Sequence, residues 1–281
     1  MLSPYVCENC GFWQKRPAEP VACPVCEDYR HPLPPGGYAF ATPAQVDARQ
    51  AVSWDEPLPG VTRFTTTPSI GIGSSGYLIE TPGGNAHFDG CGWYDEAALD
   101  HLQARGGVAF LAASHAHVYG GLWRVADRFE PRAVFQAEAL PWCQAFSVTL
   151  PFDEAWELAP GFALHRTAGH TPDHTVLHDA VNGRLYCGDA LKFTFPEQGQ
   201  TVGVAETIST HKAYDAHIPI THGDARRYRD LFASLDFDAV ITPWEVVTSG
   251  GKAAAMALLD AQLAGDPSAD PFPIPEPAPN A

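Results

Sequence analysis

Ser114-His115-Ala116-His117-Val118-Tyr119-Gly120 is the stretch on which the reading of this chain turns. The apolar run at 108–113 predicts a short buried strand that leads directly into His115 and His117. In an extended or tightly looped backbone, residues i and i+2 point the same way, so two imidazoles can converge on one ion. Alone, a His-x-His is more often surface or satisfied core than a metal ligand. Two other loops change that weighing. Gly169-His170-Thr171-Pro172-Asp173-His174 follows a predicted strand at 162–167, with Gly and Pro fixing a sharp shape. Cys187-Gly188-Asp189-Ala190 follows another at 184–187. Loops at strand ends are where a rigid scaffold presents reactive groups. Three neutral imidazoles (His115, His117, His170) and one carboxylate (Asp189) suit Zn²⁺, Fe²⁺ or Mn²⁺.

Around these loops, short strand-like and helix-like runs alternate. Gly76-Tyr77-Leu78-Ile79-Glu80 and Ala86-His87-Phe88-Asp89 flank the turn Pro82-Gly83-Gly84-Asn85 and predict a hairpin. Tyr94, Ala98, Leu99 and Leu102 form the apolar face of a helix at 94–105. Strands are expected at 174–179 and 237–242, the former turning at Asn182-Gly183. A helix follows Asp224 as N-cap, with Tyr228, Leu231, Phe232 and Leu235 on one face. A last helix at 252–264 turns Met256, Leu259 and Leu263 inward and stops at Gly265. This order predicts two sheets with helices outside.

The cysteines divide into a cluster and three scattered residues, Cys91, Cys143 and Cys187, which read as packed small side chains. Cys7, Cys10, Cys23 and Cys26 form two Cys-x-x-Cys pairs. Each pair can turn two sulfurs toward one ion, and two such turns complete a tetrahedron. The competing reading is a pair of redox-active dithiols. The run Tyr5-Val6-Cys7-Glu8-Asn9-Cys10-Gly11 through Cys23-Pro24-Val25-Cys26 resembles the rubredoxin-like ribbon of rubrerythrins. Such ribbons hold iron and similar ones hold zinc, and spacing does not separate the two.

With 281 residues, 45% hydrophobic and 18% charged, the chain can bury a substantial core. Its 33 acids against 17 bases give a net charge of −16, which disfavours nucleic-acid or anionic-membrane partners. No apolar run reaches the ~18–20 residues of a membrane helix. No secretory signal is visible after Met1, so a cytoplasmic protein with a small-molecule substrate is expected. Arg30-His31-Pro32-Leu33-Pro34-Pro35-Gly36-Gly37 reads as a linker, and the six prolines in residues 266–281 predict an extended or mobile tail without ladder hydrogen bonds. The expected organisation is a metal ribbon with linker at 1–36, one domain at 37–265 and a flexible tail at 266–281.

Together and in this order, the motifs resemble the metallo-β-lactamase superfamily over residues 61–264. Phe88-Asp89-Gly90 matches its first, acidic motif, Ser114-His115-Ala116-His117 its second, Gly169-His170-Thr171-Pro172 its third and Gly188-Asp189 its fourth. The resemblance implies an α/β fold, a four-layer αβ/βα sandwich, behind the ribbon. It implies His115, His117 and His170 as ligands of one zinc or iron, with Asp189 near or bridging. Asp89 would orient a ligand histidine, the competing reading being a turn-forming Asp before Gly90. The second motif usually continues with an Asp and a His that bind a second metal; here Tyr119 and Gly120 stand there. The fifth motif usually ends near a histidine; here Thr242-Pro243-Trp244-Glu245 leaves Glu245 as the nearby substitute. One core ion is the natural inference.

The chemistry implied is hydrolysis of a small-molecule ester, thioester, lactone or amide by a metal-activated water. Asp189 would orient or deprotonate that water. Tyr119 would donate to an oxyanion, or else be a packed aromatic beside the loop. The runner-up is a mononuclear non-haem iron oxygenase of persulfide-dioxygenase type, using His115, His170 and Asp189. A third reading is a non-catalytic metal-binding protein with a decayed site. His211, His217 and His222 are candidates for a missing ligand but read more simply as loop or helix-end groups. Lys192 reads as a solvated lysine or as a contact for an anionic substrate. Trp54, Trp93, Trp123, Trp142 and Trp244 line a pocket or fill core.

Overall fold

The computed structural model describes residues 2–27, 35–210, 212–213, 216–217, 220–265 and 272–274. The chain divides into two compact units, Met1–Pro160 and Gly161–Ala281.

The first unit is organised on seven strands in the order Leu150–Phe152, Arg132–Gln136, Phe110–Ala112, Ala86–Phe88, Gly76–Ile79, Val61–Thr67 and Ala51–Leu58. The expected hairpin is present, with Tyr77 opposite Phe88 and Ile79 opposite Ala86. Phe110–Ala112 joins it in parallel, Ala112 opposite Phe88. These three central strands are buried at every residue, as continuous apolar runs covered on both faces should be. The parallel pairing sends residues 89 and 113 out at the same strand end, which sets the loop holding His115 beside Asp89. The Glu96–Ala104 helix starts at Asp95, whose carboxylate accepts the Ala98 N–H, and buries Ala98, Leu99 and Leu102. A further helix, Leu122–Phe129, was not expected, although Leu122, Val125, Ala126 and Phe129 recur at helical spacing opposite Arg124, Asp127 and Arg128; it buries Leu122 and Val125.

The cysteine segment belongs to this same unit. Ser3–Cys7 pairs with Trp13–Arg16 and Phe40–Ala41. Cys7, Cys10, Cys23 and Cys26 share one apolar cluster with Leu78, Tyr94, Leu99 and Leu111. Gly71 shows how close the packing is: a Cβ there would lie 2.1 Å from the carbonyl carbon of Cys10, and its φ of +57° also suits glycine. Trp13 stacks on Trp93 at 5.3 Å and donates its indole N–H to the Gly92 carbonyl at 3.0 Å. The segment read from sequence as a module of its own therefore shares its core with the strands that follow. Most of the linker read at 30–37 lies outside the described residues.

The second unit contains the antiparallel strands Phe162–Arg166, Thr175–Asp179 and Arg184–Tyr186. Ala239–Ile241 runs parallel to Arg184–Tyr186, followed by Val246–Val247 and Val202–Gly203. The helix His222–Ser234 is capped by Thr221, not by Asp224 as the sequence reading had it. Asp224 sits at the third helical position, and Thr221 and Asp224 each accept the other's backbone N–H. This is a reciprocal capping box, in which the acid closes the motif instead of opening it. The Gly251–Leu263 helix buries Ala254, Ala255, Leu258 and Leu259, whereas Met256 and Leu263, expected inward with Leu259, are only partly buried. Small alanines let that helix approach its neighbours closely, which rotates the buried face away from the bulkier residues. Within the proline-rich tail, Phe272–Pro273 pairs with Thr207–Thr210, and Ile274 donates its N–H to the Glu206 carbonyl at 2.9 Å. Prolines at an edge strand leave alternate positions free to bond, so this stretch supplies ladder contacts that the composition argued against. The remainder of the tail lies outside the described residues. No helix among the described residues is long and apolar enough to cross a membrane.

Candidate metal centres

Two groups of metal-competent side chains occur among the described residues: Cys7, Cys10, Cys23 and Cys26, and His115, His117, His170 and Asp189. In the first, Cys7 and Cys26 place their sulfurs 3.7 Å apart and Cys10 and Cys23 theirs 3.6 Å apart. Four thiolates around one ion at a bond length of about 2.3 Å stand about 3.8 Å apart along each edge of the tetrahedron. The spacing fits an ion and is far too long for disulfides; all four are free thiols. The knuckle is set by backbone bonds, Gly11 N–H to Cys7 O and Glu27 N–H to Cys23 O, while Asn9 Nδ2 donates to Cys26 Sγ at 3.3 Å. The hydrogen bond from Cys10 holds the Cys7 thiol far below its ordinary range, and the bond shared with Cys23 holds Cys10 well above. Shared charge of this kind is what a cation relieves.

The second group begins where the Phe110–Ala112 strand ends. Asp89, in the left-handed region at φ 55°, turns its carboxylate to accept the Ser114 N–H at 2.7 Å. Ser114 Oγ lies 3.0 Å from His115 Nδ1, which leaves Nε2 as the ligating nitrogen. Asp89 thus fixes the backbone at the residue before the histidine. The serine hydroxyl, quoted in the motif but given no role from sequence, orients the ring. His115 and His117 stand edge to face at 5.0 Å.

In the second unit, Tyr228 of the His222–Ser234 helix holds the other histidine. Its hydroxyl donates to the Ala168 carbonyl at 2.6 Å and accepts the His170 N–H at 3.1 Å. Burial pushes the Tyr228 hydroxyl's pKa up, so it stays protonated and able to donate. His174 is a neighbour of this loop with a different task. Its Nε2 accepts the Asp189 N–H at 3.2 Å, and its Nδ1 bonds Thr167 Oγ1 at 2.6 Å. Both ring nitrogens are thereby used to seat the Asp189 turn. His170 Nε2 and Asp189 Oδ2 are 3.5 Å apart, matching the edge of about 3.4 Å for donors at about 2.1 Å from one tetrahedral ion. Tyr228 and His174 carried no sequence signal for these tasks, because the partners are distant in the chain or bonded through backbone.

One donor atom from each of His115, His117, His170 and Asp189 lies within 4.8 Å of the others. Three nitrogens and an oxygen, all buried, suit a borderline divalent metal.

The chain just after His117 is tightly packed. A Cβ on Gly120 would lie 2.1 Å from the Cys91 carbonyl oxygen, so no histidine fits there without moving backbone. Tyr119 is buried, its ring packed edge-on to Phe135 at 5.5 Å and Phe146 at 5.7 Å, with Cys143 Sγ 3.9 Å from its hydroxyl. Its ring is thus a packed aromatic beside the loop. Lys192, read from sequence as solvated, bonds the Glu245 carboxylate at 2.5 Å and lies 4.4 Å over the Trp244 ring. His222 opens a helix; the His217 side chain and all of His211 lie outside what is described.

The chain matches no family model. The uncharacterized protein YmaE of Bacillus subtilis (strain 168) is 27% identical over 198 residues, 66% of this chain and 72% of that one. Among solved structures, the metallo-β-lactamase FIM-1 from Pseudomonas aeruginosa, in its mono-zinc form, superposes with a TM-score of 0.53 at 14% identity, over 75% of this chain and 96% of that one. The DIM-1 metallo-β-lactamase gives 0.55 at 13% identity, over 75% and 97%. The flavodiiron protein from Giardia intestinalis gives 0.53 at 13%, over 76% of this chain and 60% of that one. The fold is thus the α/β fold of metallo-β-lactamases, with a four-cysteine cluster near the N-terminus. Within it, the core side chains and the cysteines form two candidate metal-binding groups.

Proposed function

We propose that the protein is a metal-dependent hydrolase of a small-molecule ester, thioester, lactone or amide, working at a mononuclear centre of His115, His117, His170 and Asp189. The observation that supports it is the convergence of three imidazoles and one carboxylate from three separate loops. A bound zinc or iron would supply Lewis acidity toward a carbonyl and make a water more acidic. Asp189, seated by His174, orients the attacking water and accepts its proton on the carboxylate. Ser114 orients the His115 ring and Tyr228 fixes the backbone that carries His170, so little reorganisation accompanies the reaction. The cysteine cluster, with all four positions filled by protein, carries a structural zinc or iron.

One observation favours a second reading, a mononuclear non-haem iron oxygenase. His115, His170 and Asp189 alone make a two-His, one-carboxylate set, and the fold is shared with a flavodiiron protein.

Metal analysis after purification without chelator, combined with a panel of esters, thioesters, lactones and amides, tests both. The expected result is two ions per chain and hydrolysis that is indifferent to O₂. His170→Ala should lose one ion and keep the other. Thiol-dependent O₂ consumption without hydrolysis would select the oxygenase. A single ion, retained in His170→Ala, would leave only a metal-binding protein.

A further inference from the structure

The loop at 89–93 grips the histidine-bearing loop at three points. The Asp89 carboxylate accepts the Ser114 N–H at 2.7 Å, the Gly90 N–H donates to the Val118 carbonyl at 2.8 Å, and the Cys91 carbonyl accepts the Gly121 N–H at 2.7 Å. These bonds fall just before His115, just after His117 and just past Gly120, so both imidazoles ride on a segment clamped at either end. The two backbones touch: a Cβ on Gly90 would lie 2.3 Å from the Tyr119 carbonyl oxygen. A shift of one loop is therefore a shift of the other.

The clamp is itself held. Ser74 Oγ donates to the Gly90 carbonyl at 2.7 Å, and the Trp93 N–H donates to Thr66 Oγ1 at 2.9 Å. Between those anchors the support comes from the cysteine segment, where the Trp13 indole N–H donates to the Gly92 carbonyl at 3.0 Å. Trp13 and Gly92 are both buried, so removing the indole N–H takes a bond from a carbonyl that water does not replace. The knuckle that gathers the sulfurs also places this indole: the Cys7 N–H donates to the Phe12 carbonyl at 2.9 Å, and Trp13 pairs opposite Val6. Asp89 shows why the loop needs support. Its φ of 55° is one that a non-glycine residue keeps where its surroundings over-determine it.

We infer that Trp13 is a positioning residue for the core metal centre: through Gly92 it holds the loop at 89–93, and that loop sets His115 and His117. The cysteine segment thereby does more than close round an ion of its own. The inference rests on the core centre proposed above and concerns its metal affinity, before any reaction.

The test titrates Co²⁺ into full-length protein whose cysteines already hold Zn²⁺, following the weak visible bands of Co²⁺ among nitrogen and oxygen ligands. Trp13→Phe keeps a ring in the stack and removes the N–H. It should weaken core Co²⁺ binding about 10-fold while the Zn²⁺ stays, the low end of what a lost supporting hydrogen bond costs a metal site. Val46→Ala loosens the same apolar cluster but removes no hydrogen bond, so it should lower the melting temperature and leave core Co²⁺ affinity unchanged. Replacing the Trp13 indole by benzothiophene, which keeps the ring shape and drops the N–H, should match the Trp13→Phe loss and decides the matter if the phenylalanine variant does not fold. Unchanged core affinity in a folded variant without the N–H, beside a wild type that binds Co²⁺, overturns the role of Trp13 and leaves the core centre intact. An equal loss in Val46→Ala overturns that role too, since general loosening would suffice. A wild type that takes up no Co²⁺ beyond the cysteines overturns the core centre itself.

Discussion

The cysteine cluster and the imidazole–carboxylate group differ in almost every respect that governs what an ion can do. The cluster takes all its ligands from residues 7–26, and all four cysteines are buried. The other group takes its ligands from residues 115–189, in loops beyond strands, and His115, His170 and Asp189 are each positioned by a hydrogen-bond partner. Four thiolates close a tetrahedral ion to further ligands, whereas an ion held by three imidazoles and a carboxylate can expand to admit a fifth, reacting group. On the function proposed above, the protein divides two uses of metal between two kinds of neighbourhood.

That division can be broken most forcefully at the cluster. Cys23→Ser should release its ion and unfold the first unit, at a cost of several kcal/mol, on the order of 3–5. Thermal melting checks it, and an unchanged melting temperature would make the cysteine segment an appendage. The same core contains His87, whose Nε2 is bonded to the Tyr94 hydroxyl at 3.1 Å and whose pKa burial lowers to about 3. The unfolded chain takes up this proton near pH 6.5 and the folded chain does not. Above that pH His87 costs nothing; below it, stability falls by about 1.4 kcal/mol per pH unit until about pH 3. Urea unfolding at pH 7 and pH 4 should show a loss of roughly 3 kcal/mol that is absent from His87→Gln.

At the open centre, effects should be smaller and confined to function. Ser114→Ala frees the His115 ring and should weaken core metal binding about 10–100-fold, read by competition with a chromogenic chelator, while the cluster ion stays. A loss from the cluster instead would mean the two sites are not distinct. Tyr119→Phe should change turnover less than about 10-fold, since the ring and not the hydroxyl is packed. A fall of 100-fold or more would restore the oxyanion role to that hydroxyl.

What could be seen in the sequence was what depends on local pattern. His115 and His117, His170 and Asp189 were legible because each lies in a short Gly- or Pro-marked loop after an apolar run. Cys7 through Cys26 were legible from spacing alone. The hairpin at Gly76–Ile79 and Ala86–Phe88 followed from alternation and turn chemistry. What was hidden depends on partners that no local window contains. Tyr228 lies 58 residues from the loop it clamps, and Lys192 looks like any surface lysine until Glu245 closes on it. The Phe272–Pro273 strand was hidden by its composition, which predicts an unpaired tail.

Trp13, Trp93 and Trp123 form a compact trio, with ring centroids 5.3, 5.5 and 6.1 Å apart, and Trp13 is the third residue after Cys10. Indoles this close exchange excitation and report as one chromophore on whatever lies beside them. Iron thiolates absorb across the near-ultraviolet and quench such emission, whereas zinc thiolates are transparent there. The unlabelled protein consequently carries its own optical gauge of which metal the cysteines have taken up.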